Sequence, residues 1–266
     1  ELLLRGHERA LQNEVPDVCV VNTCSVTDAA DHKDRQSIHQ LHRKYPNAII
    51  IVTGCYAQLQ PEQISQIDGV DYVLGQNEKY DIPQLIEEIE KHVSLTTPQE
   101  THTSVCDKIR VAAIREVDEF HGVHSADDRT RCFIKVQDGC NYFCTYCTIP
   151  FARGKSRNPK IKEVVQDAQT ALNQGAKELI ITGVNIGDFG RSTDERFIEL
   201  LKALDELNGD YRVRISSCEP NLLTDEIIDF VAHSKHFAPH SHIPLQSGSN
   251  EVLAIMKRRY TRELFA

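Results

Sequence analysis

At 266 residues, with 30 Lys and Arg against 39 Asp and Glu, the chain has a formal charge of −9 and is long enough for two domains. That acidic balance speaks against a nucleic-acid surface unless the basic surface is local or outside this stretch. No apolar run approaches the roughly 18 residues that span a bilayer, and nine cysteines without a visible secretory leader lead us to expect a cytoplasmic protein with reduced thiols available to metals.

The chain opens on Glu1-Leu2-Leu3-Leu4, without an initiator Met, and residues 1–12 read as the end of an amphipathic helix. Val18-Cys19-Val20-Val21 reads as a short strand leading to Asn22-Thr23-Cys24-Ser25, and a polar helix is expected over 28–44, stopping before Pro46. Ala48-Ile49-Ile50-Ile51-Val52-Thr53 is a continuous apolar strand of the kind buried on both faces, and Gly54-Cys55-Tyr56 follows at once. A helix near 61–67, a strand at Tyr72-Val73-Leu74 and a helix over 82–92 complete a first unit, 1–92. Alternating strands and helices imply a small Rossmann-like parallel sheet.

Cys24 and Cys55 each lie just past the carboxyl end of a strand, the edge where open α/β sheets place ligands. Parallel neighbours are about 4.8 Å apart, so the two thiols could share one metal cluster; two small buried cysteines at strand ends fit the same pattern. Cys19, inside its strand, reads as core. Residues 93–130 read as a linker, with Thr96-Thr97-Pro98 and Ser125-Ala126-Asp127-Asp128 as loops. Cys106 reads as a free thiol, and His102, His121 and His124 as solvated loop residues.

A second series, 131–266, begins with the strand Arg131–Gln137, which delivers Asp138-Gly139 and then Cys140-Asn141-Tyr142-Phe143-Cys144-Thr145-Tyr146-Cys147. Helices are expected over about 161–174, ended by Gly175, and over 194–207 and 224–233, with another short one capped by Ser249. Strands are expected at Leu179–Thr182, Arg212–Ser217 and His242–Leu245. Four βα units in file suggest a parallel barrel, complete or partial, with its chemistry at the carboxyl ends of the strands. Those ends carry Gly183 and Asn185, Ser216 and Glu219, and Gln246, as a polar cofactor pocket would; Cys132 and Cys218 read as core. Thr261 reads as an N-cap with Glu263 in the first turn, so a helix begins as the chain stops. Both ends therefore read as cuts in a longer protein.

The three cysteines of the C-x3-C-x2-C run can hold three corners of a metal cluster, because thiolate suits both iron–sulfur clusters and zinc. A structural zinc needs a fourth protein ligand from elsewhere; a [4Fe–4S] cluster with three protein ligands keeps one iron for an outside chelator. The run, with Tyr146 before its last cysteine, resembles the signature of radical S-adenosylmethionine (SAM) enzymes. The resemblance implies that SAM chelates the open iron, that Tyr146 packs by its adenine, and that an electron from the cluster cleaves SAM to a 5′-deoxyadenosyl radical.

Taken with Val21-Asn22-Thr23-Cys24, Thr53-Gly54-Cys55-Tyr56-Ala57-Gln58, Lys135–Cys147, Arg153-Gly154 and His242–Gly248, the chain resembles the radical SAM methylthiotransferases over nearly its whole length. The resemblance implies a partial βα barrel of radical SAM type after the first domain. It also implies an auxiliary [4Fe–4S] cluster held by Cys24, Cys55 and a cysteine upstream of Glu1, two SAM per reaction, and a C-terminal RNA-binding (TRAM) domain beyond this stretch. An electron donor such as flavodoxin or ferredoxin, and no membrane, are expected. Cys24-Ser25-Val26-Thr27 and Thr182–Asp188 look most like the branch that turns C2–H of N6-threonylcarbamoyladenosine, at tRNA position 37 beside the anticodon, into C2–SCH3. The same chemistry on isopentenyladenosine tRNA or on a ribosomal-protein aspartate is the alternative, and a non-catalytic zinc module is the alternative of another class. Arg153, Lys155 and Arg157, with Lys160 and Lys162, form a local basic run that could meet RNA phosphate or form a solvated helix start.

Overall fold

A computed structural model describes residues 2–11, 13–25, 27–93, 107–122 and 130–266. The chain divides into two compact units, Glu1–Val117 with Phe151–Arg153, and Asp118–Pro150 with Gly154–Ala266. Among the described residues no helix is long and apolar enough to cross a membrane. Cys106, His102, His124 and the stretches 96–98 and 125–128 lie outside the described residues.

The first unit is a four-stranded parallel sheet in the order β1 (Val18–Thr23), β2 (Ile49–Gly54), β3 (Tyr72–Leu74), β4 (Ile109–Arg110). Strand β2 is the apolar run expected to be covered on both faces, and it is. Ile50 and Val52 point into a core with Ile38 of α1 (Asp28–Lys44), Tyr56 and Ala57 of α2 (Cys55–Leu59) and Ile64 of α3 (Pro61–Ser65). Ile51 points the other way, onto Leu85, Ile86 and Ile89 of α4 (Ile82–Val93). Period-two alternation thus feeds two cores from one strand, and each fully buried aliphatic side chain contributes roughly 1.5–3 kcal/mol. Helix α1 starts where expected because the Thr27 hydroxyl accepts from the Ala30 N–H.

Two expectations change here. The N-terminal helix is only a 3-10 turn, Leu2–Arg5, closed by Gly6 at φ +90°. The stretch 93–130 is not a plain linker, because Ile109–Arg110 pairs with β3 and adds the fourth strand. Two residues are too few to show the period of a strand; the edge of β3 that β2 leaves unpaired takes them up.

The second unit holds the parallel sheet β5 (Arg131–Lys135), β6 (Glu178–Thr182), β7 (Arg212–Ile215). After the short helix α5 (Ile149–Arg153), helices α6 (Ile161–Asn173), α7 (Phe197–Asp205) and α8 (Asp225–His233) bury one face of it: Ile134, Leu179, Ile181 and Val213 pack on Val164, Ala168, Leu200, Leu201 and Ile227. Cys132 and Cys218 join that core, and burial pushes the Cys218 thiol up to about 12. The other face carries Arg131, Glu178 and Arg214, where the Glu178 carboxylate accepts from both arginines at 2.8 Å. The fourth strand expected at His242–Leu245 shrinks to one parallel bridge, Ser217 to His242. Pro244 has no N–H to give a ladder, and the Tyr260 hydroxyl takes the carbonyls of Pro244 and Leu245 at 2.8 and 2.9 Å. Ser249 caps α9 (Asn250–Ile255) and Thr261 caps α10 (Arg262–Phe265), as expected.

What joins the exits of β5 and β6 is the side-chain amide of Gln137, which is buried. Its Nε2 donates to the carbonyls of Asp138 (3.0 Å) and Gly139 (2.7 Å) and to the Ser156 hydroxyl (3.0 Å). Its Oε1 accepts from the N–H groups of Val184 (2.9 Å) and Asn185 (2.8 Å). Gly139, at φ +70°, lets the chain pass so close to the next segment that a Cβ would stand 1.9 Å from the Lys155 carbonyl oxygen.

Stability measurements on three variants check these constraints. Gly139→Ala should destabilise the second unit by roughly 3 kcal/mol or more, because backbone strain and a collision with backbone add. Gly175→Ala meets the same backbone demand at φ +97° with nothing within 4 Å, so it should cost only about 1 kcal/mol. Gln137→Leu leaves the N–H groups of half-buried Val184 and buried Asn185 without their acceptor and should lower stability by roughly 3 kcal/mol in urea melts.

Candidate active site

The cysteine loop leaves the carboxyl end of β5 and is stitched down before its first cysteine. Asp138 and Arg157 exchange backbone hydrogen bonds of 3.0 and 2.9 Å, and the Cys140 N–H donates to the Gly154 carbonyl at 3.0 Å. The buried Asp138 carboxylate takes Lys135 and Arg157, each at 3.3 Å, and the Gly139 N–H at 2.9 Å. The Asn141 side chain accepts from the Ser156 N–H at 3.1 Å. Past that anchor the loop turns at Phe143, whose φ of +52° is rare for a side chain of that size. The Cys147 N–H then closes on the Cys144 carbonyl at 3.0 Å.

Cys144 is buried, and Cys140 and Cys147 are partly so. Burial pushes the Cys140 thiol up to about 11, with Asp188, Cys147 and Cys144 adding in the same direction. Burial likewise raises Cys147, and Cys144 adds to it. The thiols are close enough to oppose one another's ionisation, so a cationic metal centre is what would draw three thiolates from this loop. Among the described residues no three His, Cys, Asp or Glu side chains converge on a point that could hold a single ion. A cluster asks less of the loop, because each thiolate binds its own iron.

At the same edge, beyond β6 and β7, stand buried polar atoms without a protein partner: Asn185 Nδ2, Asp188 Oδ2 and Ser216 Oγ. A small polar cofactor offering amino, carboxylate and hydroxyl groups would supply what they lack. Gly183 is needed there, since a Cβ would come 2.9 Å from both the backbone and the side-chain oxygen of Gln137. Asn185 is buried, and its Oδ1 accepts from the Glu219 N–H at 3.3 Å.

Other expected residues sit differently. The Glu219 carboxylate is ion-paired with Arg258, and the Tyr146 hydroxyl is 3.1 Å from a guanidinium nitrogen of that arginine. Gln246 is exposed at φ +60°, and no described hydrogen bond joins its side chain to the others. Arg157, read as meeting phosphate or standing in a solvated helix start, does neither, because it is buried: its guanidinium donates to Asp138, to the Glu119 carbonyl at 3.0 Å and to the Lys155 carbonyl at 3.2 Å. Lys155 is exposed. Arg258, Gln137 and Asp188 are the residues that reading the sequence missed. For Arg258 the only local signal was a basic pair before an aromatic, Arg258-Arg259-Tyr260.

In the first unit the paired residues Thr23 and Gly54 immediately precede Cys24 and Cys55, so register puts the two cysteines at one edge. Cys24 is exposed, its N–H held by Asp34 at 2.8 Å; Cys55 is buried and opens α2. The Thr23 hydroxyl ties the two strand ends, donating to the Thr53 carbonyl at 2.6 Å and accepting from the Ala57 N–H at 3.3 Å. Arg153, which groups with this unit, brings its Nε to 3.5 Å from the Cys55 sulfur. Cys19 lies in the core, as expected.

Set beside known proteins, residues 134–265 match the family model of the radical SAM superfamily, and residues 1–75 match that of Uncharacterized protein family UPF0004. Threonylcarbamoyladenosine tRNA methylthiotransferase MtaB of Bacillus subtilis (strain 168) is 40% identical over 263 residues, covering 98% of this chain and 56% of that protein. The protein of that name in Aquifex aeolicus (strain VF5) is 35% identical, covering 99% of this chain and 62% of its own length. The tRNA-2-methylthio-N(6)-dimethylallyladenosine synthase of Fusobacterium nucleatum is 32% identical, covering 98% and 58%. The chain thus spans little more than half the length of these relatives. Among solved structures, the radical S-adenosylmethionine methyltransferase TsrM from Kitasatospora setae, with tryptophan and a SAM analog bound, shares the fold at a TM-score of 0.62 and 15% identity, over 95% of this chain and 53% of that one. A soft-ligand cysteine loop at the carboxyl edge of a parallel βα sheet, in a domain that matches that model from 134 to 265, leads to one family: the chain belongs to the radical SAM superfamily.

Proposed function

We propose that this chain is the catalytic part of a tRNA methylthiotransferase that converts C2–H of N6-threonylcarbamoyladenosine, beside the anticodon, to C2–SCH3. The observation that carries the reading is graded likeness. Relatives named for threonylcarbamoyladenosine are 35–40% identical over nearly the whole chain, against 28–32% for those named for dimethylallyladenosine. The acidic charge of this stretch leaves most of the grip on tRNA to the part of the protein outside it.

In this reading Cys140, Cys144 and Cys147 would hold a [4Fe–4S] cluster, and the unpartnered polar atoms of Asn185, Asp188 and Ser216 would bind SAM. Tyr146, Gly183, Glu219 and Gln246 line the same edge. Cys24 and Cys55 would hold an auxiliary cluster together with a third ligand from elsewhere in the protein, and that site would supply the sulfur. The cluster and SAM, when bound, supply one-electron chemistry that an aromatic C–H without an acidic proton requires. The chain's own residues set positions: Gln137 and Asp138 fix where the cysteine loop starts, and Gly183 fixes how near β6 brings its turn. Of Arg153, Lys155 and Arg157, Lys155 is the exposed one and is available to RNA phosphate. Electrons come from a carrier such as flavodoxin or ferredoxin, in the cytoplasm.

Single-cysteine variants of the full-length protein, reconstituted without oxygen, test the division of labour. Cys144→Ala should lose 5′-deoxyadenosine formation to background, whereas Cys24→Ala should keep it within about twofold and lose 2-methylthio product. Sulfur insertion that survives Cys24→Ala removes the auxiliary site. Nucleosides from cells lacking the gene test the substrate: the methylthio form of threonylcarbamoyladenosine should vanish while that of isopentenyladenosine stays, and the reverse pattern reassigns the branch.

A further inference from the structure

The segment after α9, Met256 to Tyr260, touches the cysteine loop at five points. The Met256 carbonyl accepts from the Thr145 N–H at 3.3 Å. Arg259 donates to the Asn141 carbonyl at 2.9 Å and stacks its guanidinium on the Tyr142 ring, 4.0 Å from the centroid. Between them, Arg258 sends one guanidinium nitrogen to both the Cys144 sulfur, at 3.2 Å, and the Tyr146 hydroxyl, at 3.1 Å. Lys257 bends the chain between these contacts at φ +57°, a strained value for a residue with a side chain.

Arg258 is not a surface cation that happens to reach the loop. Its side chain is only 4% exposed, its other terminal nitrogen is ion-paired with Glu219, and its guanidinium lies 5.2 Å from the Tyr260 ring centroid. Tyr260 is itself fixed through its hydroxyl to Pro244 and Leu245. A guanidinium held on three sides keeps its charge at any working pH and presents a directed N–H to one sulfur. Hydrogen bonds to ligand sulfurs are among the determinants of an iron–sulfur centre's potential, since they favour the electron-richer state.

We propose that Met256–Tyr260 clamps the cysteine loop and that Arg258 is a positioning residue whose N–H···S bond to Cys144 raises the reduction potential of the cluster held there. This rests on the reading that the cysteine trio binds a [4Fe–4S] cluster. Arg259 fixes the loop by its backbone and ring contacts; Arg258 acts on the sulfur.

Redox titration of the reconstituted protein, followed by EPR of the reduced cluster, tests it. Wild-type protein that assembles no cluster refutes the underlying reading; the rest addresses Arg258 alone. Arg258→Met should shift the midpoint to more negative potential, and Arg258→Lys, which keeps the charge and a donor, should recover part of the shift. Because Arg258→Met also strands the Glu219 carboxylate, the double variant Arg258→Met/Glu219→Gln is the control, and a shift that persists in it belongs to the lost N–H···S bond. A midpoint unchanged in Arg258→Met and in the double variant, with iron fully bound, overturns the proposal. Should those variants hold no iron, wild-type protein labelled with 15N in its arginine side chains decides. Pulsed EPR of its reduced cluster should show a weakly coupled 15N that Arg258→Lys loses, and no such coupling overturns the proposal.

Discussion

Five hydrogen-bond contacts converge on the side-chain amide of Gln137: its two N–H groups face three acceptors, and its oxygen receives two N–H groups. Strand pairing alone brings β5 and β6 side by side but leaves their exits free to diverge. The Gln137 amide removes that freedom by holding the start of the cysteine loop and the Gly183–Asn185 turn at once. A buried amide satisfied on both ends is favourable, and one satisfied on a single end is not, so the arrangement is nearly all-or-none. The thiols and the polar atoms of the next strand end therefore keep one relation to each other.

Around that crosslink the polar groups fall into two sets. Asp138, Arg157 and Asn158 spend their hydrogen bonds on the protein and rigidify the loops. Asn185 Nδ2, Asp188 Oδ2 and Ser216 Oγ do not, and all stand at the carboxyl edge of the sheet. Buried polar atoms left without partners are rare because each sacrifices solvation. Their gathering beside the cysteine loop is what one expects of a pocket shaped for a polar cofactor. Arg258 belongs to neither set: it is anchored by Glu219 and faces a sulfur.

Much of the scaffold is readable from residue patterns. The run Ile49–Val52 announces a strand buried on both faces; Thr27, Ser249 and Thr261 announce helix starts, and Pro46 a stop. The apolar period is a property of a few consecutive residues, which is why these signals survive without knowledge of the fold. Where the reading fails, a single residue or an unpaired strand edge outvotes the local pattern. Leu2–Arg5 makes one turn instead of a longer helix, β4 forms because β3 has an open edge, and Pro244 with Tyr260 dissolves the fourth strand into a bridge.

By itself, the sequence determined the spacing of Cys140, Cys144 and Cys147, the parallel βα order, and the placement of Cys24 and Cys55 just past neighbouring strands. Those follow from covalent connectivity and short-range periodicity. Only the tertiary structure decided that Arg157 is committed to Asp138 while Arg258, 114 residues beyond Cys144, reaches its sulfur. The choice among similar arginines lies in strand register and in the backbone angle at Lys257, which aim each side chain. Register is a long-range pairing, and no stretch of neighbouring residues encodes it.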